Sequence, residues 1–298
     1  MNYSDVIAKT RRRLLSGVRE AAVLLTEPYT AGSPTLNVEG SFLNAIQPGC
    51  ILSVDLEVFY VTSVTTAGSV GVVPGYDGST EADHATGTIC YVNPRFTNYD
   101  IGVAINDDLL DLSAPYNGLG QVFTTSFTWN PTYLGYDLGS QFSPISSSVL
   151  EVSYKLAPPV RTYPTIRDYR VDRNADTTVF PSGVAIILYQ PAYTGLPVTV
   201  KFLAPFSPLV NLTDDLTEVA GLPASMYDLP DLGAAIRLVQ PREVKRNFLE
   251  SQPDPRKAPE VPPSAVMNSS AKLEMQRQKR IDAEADRLSR AYPHREAA

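Results

Sequence analysis

Only two cysteines and two histidines occur in this 298-residue chain, so the residue types that hold zinc or drive thiol chemistry are nearly missing. Tetrahedral zinc takes four N or S ligands with close-spaced pairs, and Cys50, His84 and Cys90 offer no such pair. Basic residues are also short: 25 Lys and Arg stand against 32 Asp and Glu, a formal charge of -7. A surface that grips phosphate over its whole extent is excluded, because that needs an excess of cations. Long apolar runs are absent; "VAIILY" (184–189) stops at Pro191, far short of the roughly 20 residues that cross a bilayer as a helix. No charged start followed by an apolar run opens the chain, and two thiols suit a reducing cytoplasm.

Motifs of nucleotide and acyl chemistry are missing too. Neither a G-x-x-x-x-G-K-[ST] loop nor a G-x-G-x-x-G turn precedes a helix, and there is no G-x-S-x-G elbow. A nucleophile would need a base, and His294 lies in a polar tail. The stretch "GYDGSTEADHATGTICYV" (75–92) looks reactive, but its glycines suit a turn that His84 closes by hydrogen bonding, with Cys50 and Cys90 as small apolar residues. Asp55, Glu57, Asp77, Glu81 and Asp83 crowd this region, and a polysaccharide hydrolase using Asp77 and Asp83 is the one enzymatic alternative; acidic turn residues are mostly solvated. No cofactor and no metal are expected.

What the chain does have is 43% hydrophobic residues, 16 Tyr, 10 Phe, 25 Pro and 18 Gly, the makings of short strands joined by turns. Residues 1–35 read as a helix and an arm: Ser4 is placed to cap it, Ile7, Leu14 and Val18 recur at helical period, and Arg11, Arg12 and Arg13 project from a largely solvated turn. Residues 36–96 alternate as a small β module, with Gly68, Gly75 and Gly78 at hairpin ends; Pro94 ends it and restricts Asn93 to extended geometry. Residues 97–118 form a helix that Thr97 and Asp100 cap reciprocally, with Ile101, Ala104, Ile105, Leu109 and Leu112 on one stripe. Residues 119–216 carry five strand-like runs, the pattern of an antiparallel sandwich.

Helical signals return in 217–252, where Pro241 should kink or divide the element. Residues 253–298 comprise a proline-rich tether and a helix of about 25 residues reaching on the order of 35 Å. That helix carries only Leu273, Met275, Ile281, Leu288 and Tyr292 as apolar positions, too thin a stripe to dock in its own domain, so it calls for a partner. Cations gather on it (Lys272, Arg277, Lys279, Arg280, Arg287, Arg290) and on the first helix, suiting contact with an acidic protein surface more than with DNA.

Two groups of segments resemble the head-to-tail connector (adaptor, neck) proteins of long-tailed phages. They are "GCILSVDLEVFYVTSV" with "VGVVPGYDGSTEADHATGTICYVNPRFTNYDIGVAINDDLLDL", and "LPDLGAAIRLVQPREVKR" with the terminal "RLSRAYP"; Pro74 and Pro241 depart from the pattern. Counted with the proline tether and helix between the last two segments, the resemblance spans 49–112 and 229–293, roughly half the chain. It implies an α+β fold with a helical connector-type core, an inserted small β module, an antiparallel β sandwich and a tethered C-terminal helix. It implies a structural, non-enzymatic virion protein of the neck, assembled in the host cytoplasm. Such a protein forms a ring, commonly of twelve copies, beneath the portal, meets a tail-side neck or tail terminator protein, and lets genome DNA pass its lumen without sequence-specific contact. Portal docking would then fall to Lys272, Leu273, Arg277, Lys279, Arg280, Ile281, Arg287, Leu288, Arg290 and Tyr292, with Arg11, Arg12 and Arg13 facing the lumen or a neighbouring copy. The alternative of a different class is a receptor- or glycan-binding tail or baseplate component, for which a Tyr-rich sandwich offers stacking faces. No membrane partner is expected.

Overall fold

The structure is a computed structural model that describes residues 1–40, 45–65, 68–133, 135–154, 164–189, 195–250 and 263–293, with only the backbone described over 241–250 and 263–270. The chain divides into two compact units: residues 1–108, 209–215 and 230–274 form the first, and residues 109–208, 216–229 and 275–298 the second.

The first unit begins with α1 (Tyr3–Leu15). Asn2, not Ser4, opens the helix: its N–H donates to the Asp5 carboxylate at 3.1 Å, while the Ser4 N–H is taken by Leu212 O. The helix ends earlier than its apolar period suggested, because Ser16 (φ 48°) and Gly17 (φ 88°) both adopt left-handed geometry and turn the chain away.

Six short strands follow: β1 (Ala22–Leu24), β2 (Thr35–Asn37), β3 (Ile51–Val54), β4 (Glu57–Val64), β5 (Ser69–Val73) and β6 (Ile89–Val92), in the antiparallel order β1-β6-β3-β4-β5-β2. The two edges meet again just past β1 and β2, where Thr26 N–H donates to Asn37 O and Glu39 N–H to Leu24 O, each at 3.0 Å. Joining the edges satisfies backbone groups that an open sheet would leave for another chain. The sheet curls around Val23, Leu36, Leu52, Phe59, Val70 and Cys90, all at most 2% exposed. Each of the Val, Leu and Phe side chains contributes roughly 1.5–3 kcal/mol on burial.

Asn93 leaves β6 with φ 45°, left-handed rather than extended. Its side chain offsets the strain, accepting the Ile51 N–H at 2.8 Å and donating to Cys50 Sγ at 3.0 Å. Next comes α2 (Asn98–Leu112), capped as its sequence indicated: Asp100 N–H donates to Thr97 Oγ1 at 2.9 Å and Thr97 N–H to the Asp100 carboxylate at 3.2 Å. The stripe Ile101, Ala104, Ile105, Leu109, Leu112 is buried throughout.

In the second unit, β7 (Gln121–Thr128), β12 (Pro197–Ala204) and β9 (Ser148–Tyr154) form one antiparallel sheet. A second contains β10 (Tyr169–Asp172), β11 (Ala185–Leu188) and β8 (Tyr136–Asp137). Inward residues of both, including Val200 and Phe202 of β12 and Ile186 of β11, share one buried cluster. Phe127 of β7 stacks on Tyr136 of β8 with centroids 3.9 Å apart.

Two more α-helices follow among the described residues, α3 (Leu229–Glu250) and α4 (Pro263–Ala291). α3 passes through Pro241 as one element, since a proline removes a single donor and the turns on either side retain theirs. The helical connector-type core expected from the resemblance is corrected by this architecture: the fold is mixed α/β, dominated by antiparallel sheets, with four α-helices among the described residues. The helical stripes were legible, but the two buried sheet clusters organise the units. The β1 and β2 strands also place residues 22–37 in the module, ahead of its expected start at residue 36.

Candidate functional site

Ionisable groups concentrate around His84 in the first unit and along the basic helices, α1 in the first unit and α4 from Met275 onward in the second. His84 pairs through its backbone with Tyr29 in both directions, at 2.8 and 3.0 Å, so it does close the turn. Its ring, 1% exposed, sits between two carboxylates: Nδ1 is 2.9 Å from Asp55 Oδ2 and Nε2 is 2.9 Å from Glu57 Oε2. Burial works to lower the imidazole pKa, but the hydrogen bonds and charges of Asp55 and Glu57 outweigh it and raise it from 6.5 to about 9. At neutral pH His84 is therefore an imidazolium with both N–H groups donating.

Glu57 is fully buried and saturated: it also accepts the N–H groups of Gly75 (3.1 Å) and Ala82 (3.0 Å). Asp55 occupies the tight β3–β4 turn with φ 48°, and Asp83 accepts the Ala31 N–H at 2.8 Å. Asp77 lies in a left-handed turn position. Tyr29 stacks over the imidazole at 5.8 Å, and burial with the Glu57 and Glu81 charges pushes its phenol up to about 12.

A cavity of about 500 Å³ adjoins this cluster, bounded in part by Leu56, Tyr99, Asn106 and Leu209. Asn106 is already committed, donating to Leu209 O and accepting the Leu209 N–H, both at 2.9 Å. A base must have a lone pair to receive a proton, and neither imidazole nitrogen has one in this state. The arrangement staples the 75–84 loop and the 26–34 arm to the β3–β4 hairpin. Sequence reasoning placed the acidic residues here as solvated groups and missed the buried Glu57; two carboxylates two residues apart, Asp55 and Glu57, amid alternating apolar residues were its only signal. Elsewhere, burial pushes the Cys90 thiol to about 12, and Cys50 Sγ accepts the Gln47 N–H at 3.3 Å. His294 falls outside the described residues.

The second region comprises the basic helices. Arg11, expected in solvent, is buried: it pairs with Glu20, donates to Phe96 O at 2.9 Å and Asn98 Oδ1 at 2.8 Å, and lies 4.1 Å over the Tyr91 ring. Arg13 makes two hydrogen bonds to Asp231, 3.1 and 2.8 Å, and Lys9 a third at 3.1 Å. Asp231 is fully buried in the first turn of α3 and escaped the sequence reading, its partners lying more than two hundred residues away. Of the three arginines, Arg12 and Arg13 remain exposed, Arg13 while bound to Asp231.

From Met275 onward α4 belongs to the second unit and is docked there, a correction to the picture of an undocked, tethered helix. Ile281 is 1% exposed. Arg277 pairs with Asp111 at 2.8 Å, Arg280 with Asp228 at 2.9 Å and Ser225 O at 2.7 Å, and Glu284 accepts from Ser225 Oγ at 3.2 Å. Arginine forks replace the apolar area the stripe lacks. Lys201 approaches the Tyr292 ring at 5.6 Å, and Leu273 and Leu288 are half-buried. The remaining cations expected to act, Lys272, Lys279, Arg287 and Arg290, are exposed. The proline tether, residues 251–262, lies outside the described residues.

Exposed tyrosines, the motive for a glycan-binding alternative, include Tyr116, Tyr133 and Tyr189; a groove in the second unit is lined by Tyr116 and by neither of the others. No family model and no curated protein matches the chain.

Proposed function

We propose that the chain is a structural head-to-tail connector of a tailed phage, a ring-forming virion protein of the neck that joins portal to tail. The observation that carries the reading is α4: Arg277, Arg280, Ile281 and Arg287, which pairs with Glu284 at 2.8 Å, anchor it, while Lys272, Lys279 and Arg290 present an outward cationic face. An anchored helix offers such a face to an acidic protein surface with little ordering entropy left to lose. The segments resembling phage connectors, 49–64, 70–112, 229–246 and 287–293, support the same reading, as does a His84 cluster whose groups are all committed to one another.

In this role the exposed face of α4 meets the portal, sister copies complete the ring, a tail-side neck protein binds the opposite face, and DNA passes without base readout. Symmetry multiplies a modest contact per copy into a stable joint. The test is co-sedimentation with purified portal rings of the wild-type chain and of Lys272→Glu/Lys279→Glu/Arg290→Glu. We expect the wild type to bind and the triple variant to lose at least about tenfold in affinity, with unchanged circular dichroism. Equal binding by both would remove α4 from the portal joint, and no binding by either would remove the connector reading.

A further inference from the structure

The groove in the second unit has a volume of about 610 Å³ and an apolar rim. Tyr116 (77% exposed) and Ile145 (84%) stand on that rim, among the most exposed large apolar side chains described, with Leu119 and Leu203 buried beside them. Asp282 and Asp286, both exposed, line it from α4 against a single lining cation, Arg173. The rim is fixed in place. The Tyr116 hydroxyl donates to Asp111 at 2.8 Å, the same carboxylate that receives Arg277, and Arg173 holds the 144–147 loop through Pro144 O (3.0 Å) and Ser147 O (2.8 Å).

The first unit carries a feature of opposite shape and charge. Past α1, the left-handed pair Ser16–Gly17 turns the chain so that Val18 is 67% exposed, flanked by exposed Arg19 and, on the last turn of the helix, exposed Arg12. This tip is held at both ends. Ser16 N–H donates to Arg12 O (3.2 Å) and Val18 N–H to Leu15 O (2.9 Å) on one side. On the other, Glu20 pairs with Arg11 and accepts the Arg95 N–H at 2.6 Å. A tip so braced binds with little loss of conformational entropy.

We infer that the Val18 tip of one copy inserts between Tyr116 and Ile145 of the next, with Arg12 and Arg19 facing Asp282 and Asp286. The occupant is a second copy of this chain, because the apolar tip, its two cations and the acidic apolar groove complement one another and all belong to it. Such a contact uses two different surfaces and propagates head to tail, the kind that closes into a ring. The inference rests on the connector reading only in that a ring requires such a contact.

The test is thiol cross-linking of the full-length chain in concentrated solution, where the native Cys50 and Cys90 are buried and do not compete. Val18→Cys/Ile145→Cys should give a ladder of disulfide-linked oligomers under mild oxidation, whereas Val18→Cys/Val179→Cys should not, Val179 being exposed but outside the groove. Adding Arg19→Asp should lower the ladder's yield about tenfold, and adding Asp286→Arg as well should restore much of it. No ladder, an equal ladder from the Val179 control, or indifference to both charge changes would overturn the inference. A ladder from a chain that does not co-sediment with portal would uphold the contact and count against the connector reading; portal binding without a ladder would do the reverse.

Discussion

At the scale of single residues, His84 shows how a side chain that looks catalytic becomes structural once both its nitrogens are engaged. Replacing it with alanine leaves the buried Glu57 carboxylate without its charged partner, and we expect His84→Ala to lose about 3 kcal/mol, measured by chemical denaturation of the first unit. The pH dependence has a definite sign. The folded pKa of about 9 lies above the unfolded 6.5, so the contribution is complete below pH 6.5 and fades as pH rises toward 9. Stability profiles of wild type and His84→Ala should converge across that window; parallel profiles would show that the imidazolium is not the stabilising species. The turn-closing role of His84 was legible from the glycines around it. Glu57 and Asp231 were not, because burial of a carboxylate depends on cations and amides that only the folded chain brings near.

Among elements, α2 is where local chemistry and tertiary packing agree most closely. Its capping box and its apolar stripe are both written in sequence, and Thr97→Ala should cost about 1 kcal/mol, read from the same denaturation curves. A loss below about 0.3 kcal/mol would mean that packing alone sets the start of this helix. α1 and α4 were read less well, for one reason: the arginines of α1 were counted as solvated and those of α4 as facing a partner. Arg11 and Arg13 instead bind within the first unit and Arg277 and Arg280 within the second. Periodicity locates a helix but does not reveal which of its cations find a distant acid. For α4, Arg280→Ala/Asp228→Ala should raise amide exchange over residues 275–291 without altering exchange in β12, as judged by mass spectrometry. Unchanged protection of that segment would assign its docking to Ile281 alone.

For the molecule as a whole, two sheet-built clusters in two units predict unfolding in more than one step. Calorimetry should resolve two transitions, of which His84→Ala lowers only one; a single transition shifted as a block would mean that the clusters melt together. Strand content was readable at this scale from alternating residues such as Val198, Val200 and Phe202, whereas the joining of the β1 and β2 edges was not, since it rests on backbone hydrogen bonds that no side-chain pattern encodes. The same closed sheet seals the Cys90 sulfur, 0% exposed and with its pKa pushed to about 12. In the folded chain that sulfur is both out of reach and protonated, so an alkylating reagent can modify it only when the strands part. The rate of alkylation at Cys90 is therefore a built-in clock for how often this sheet opens.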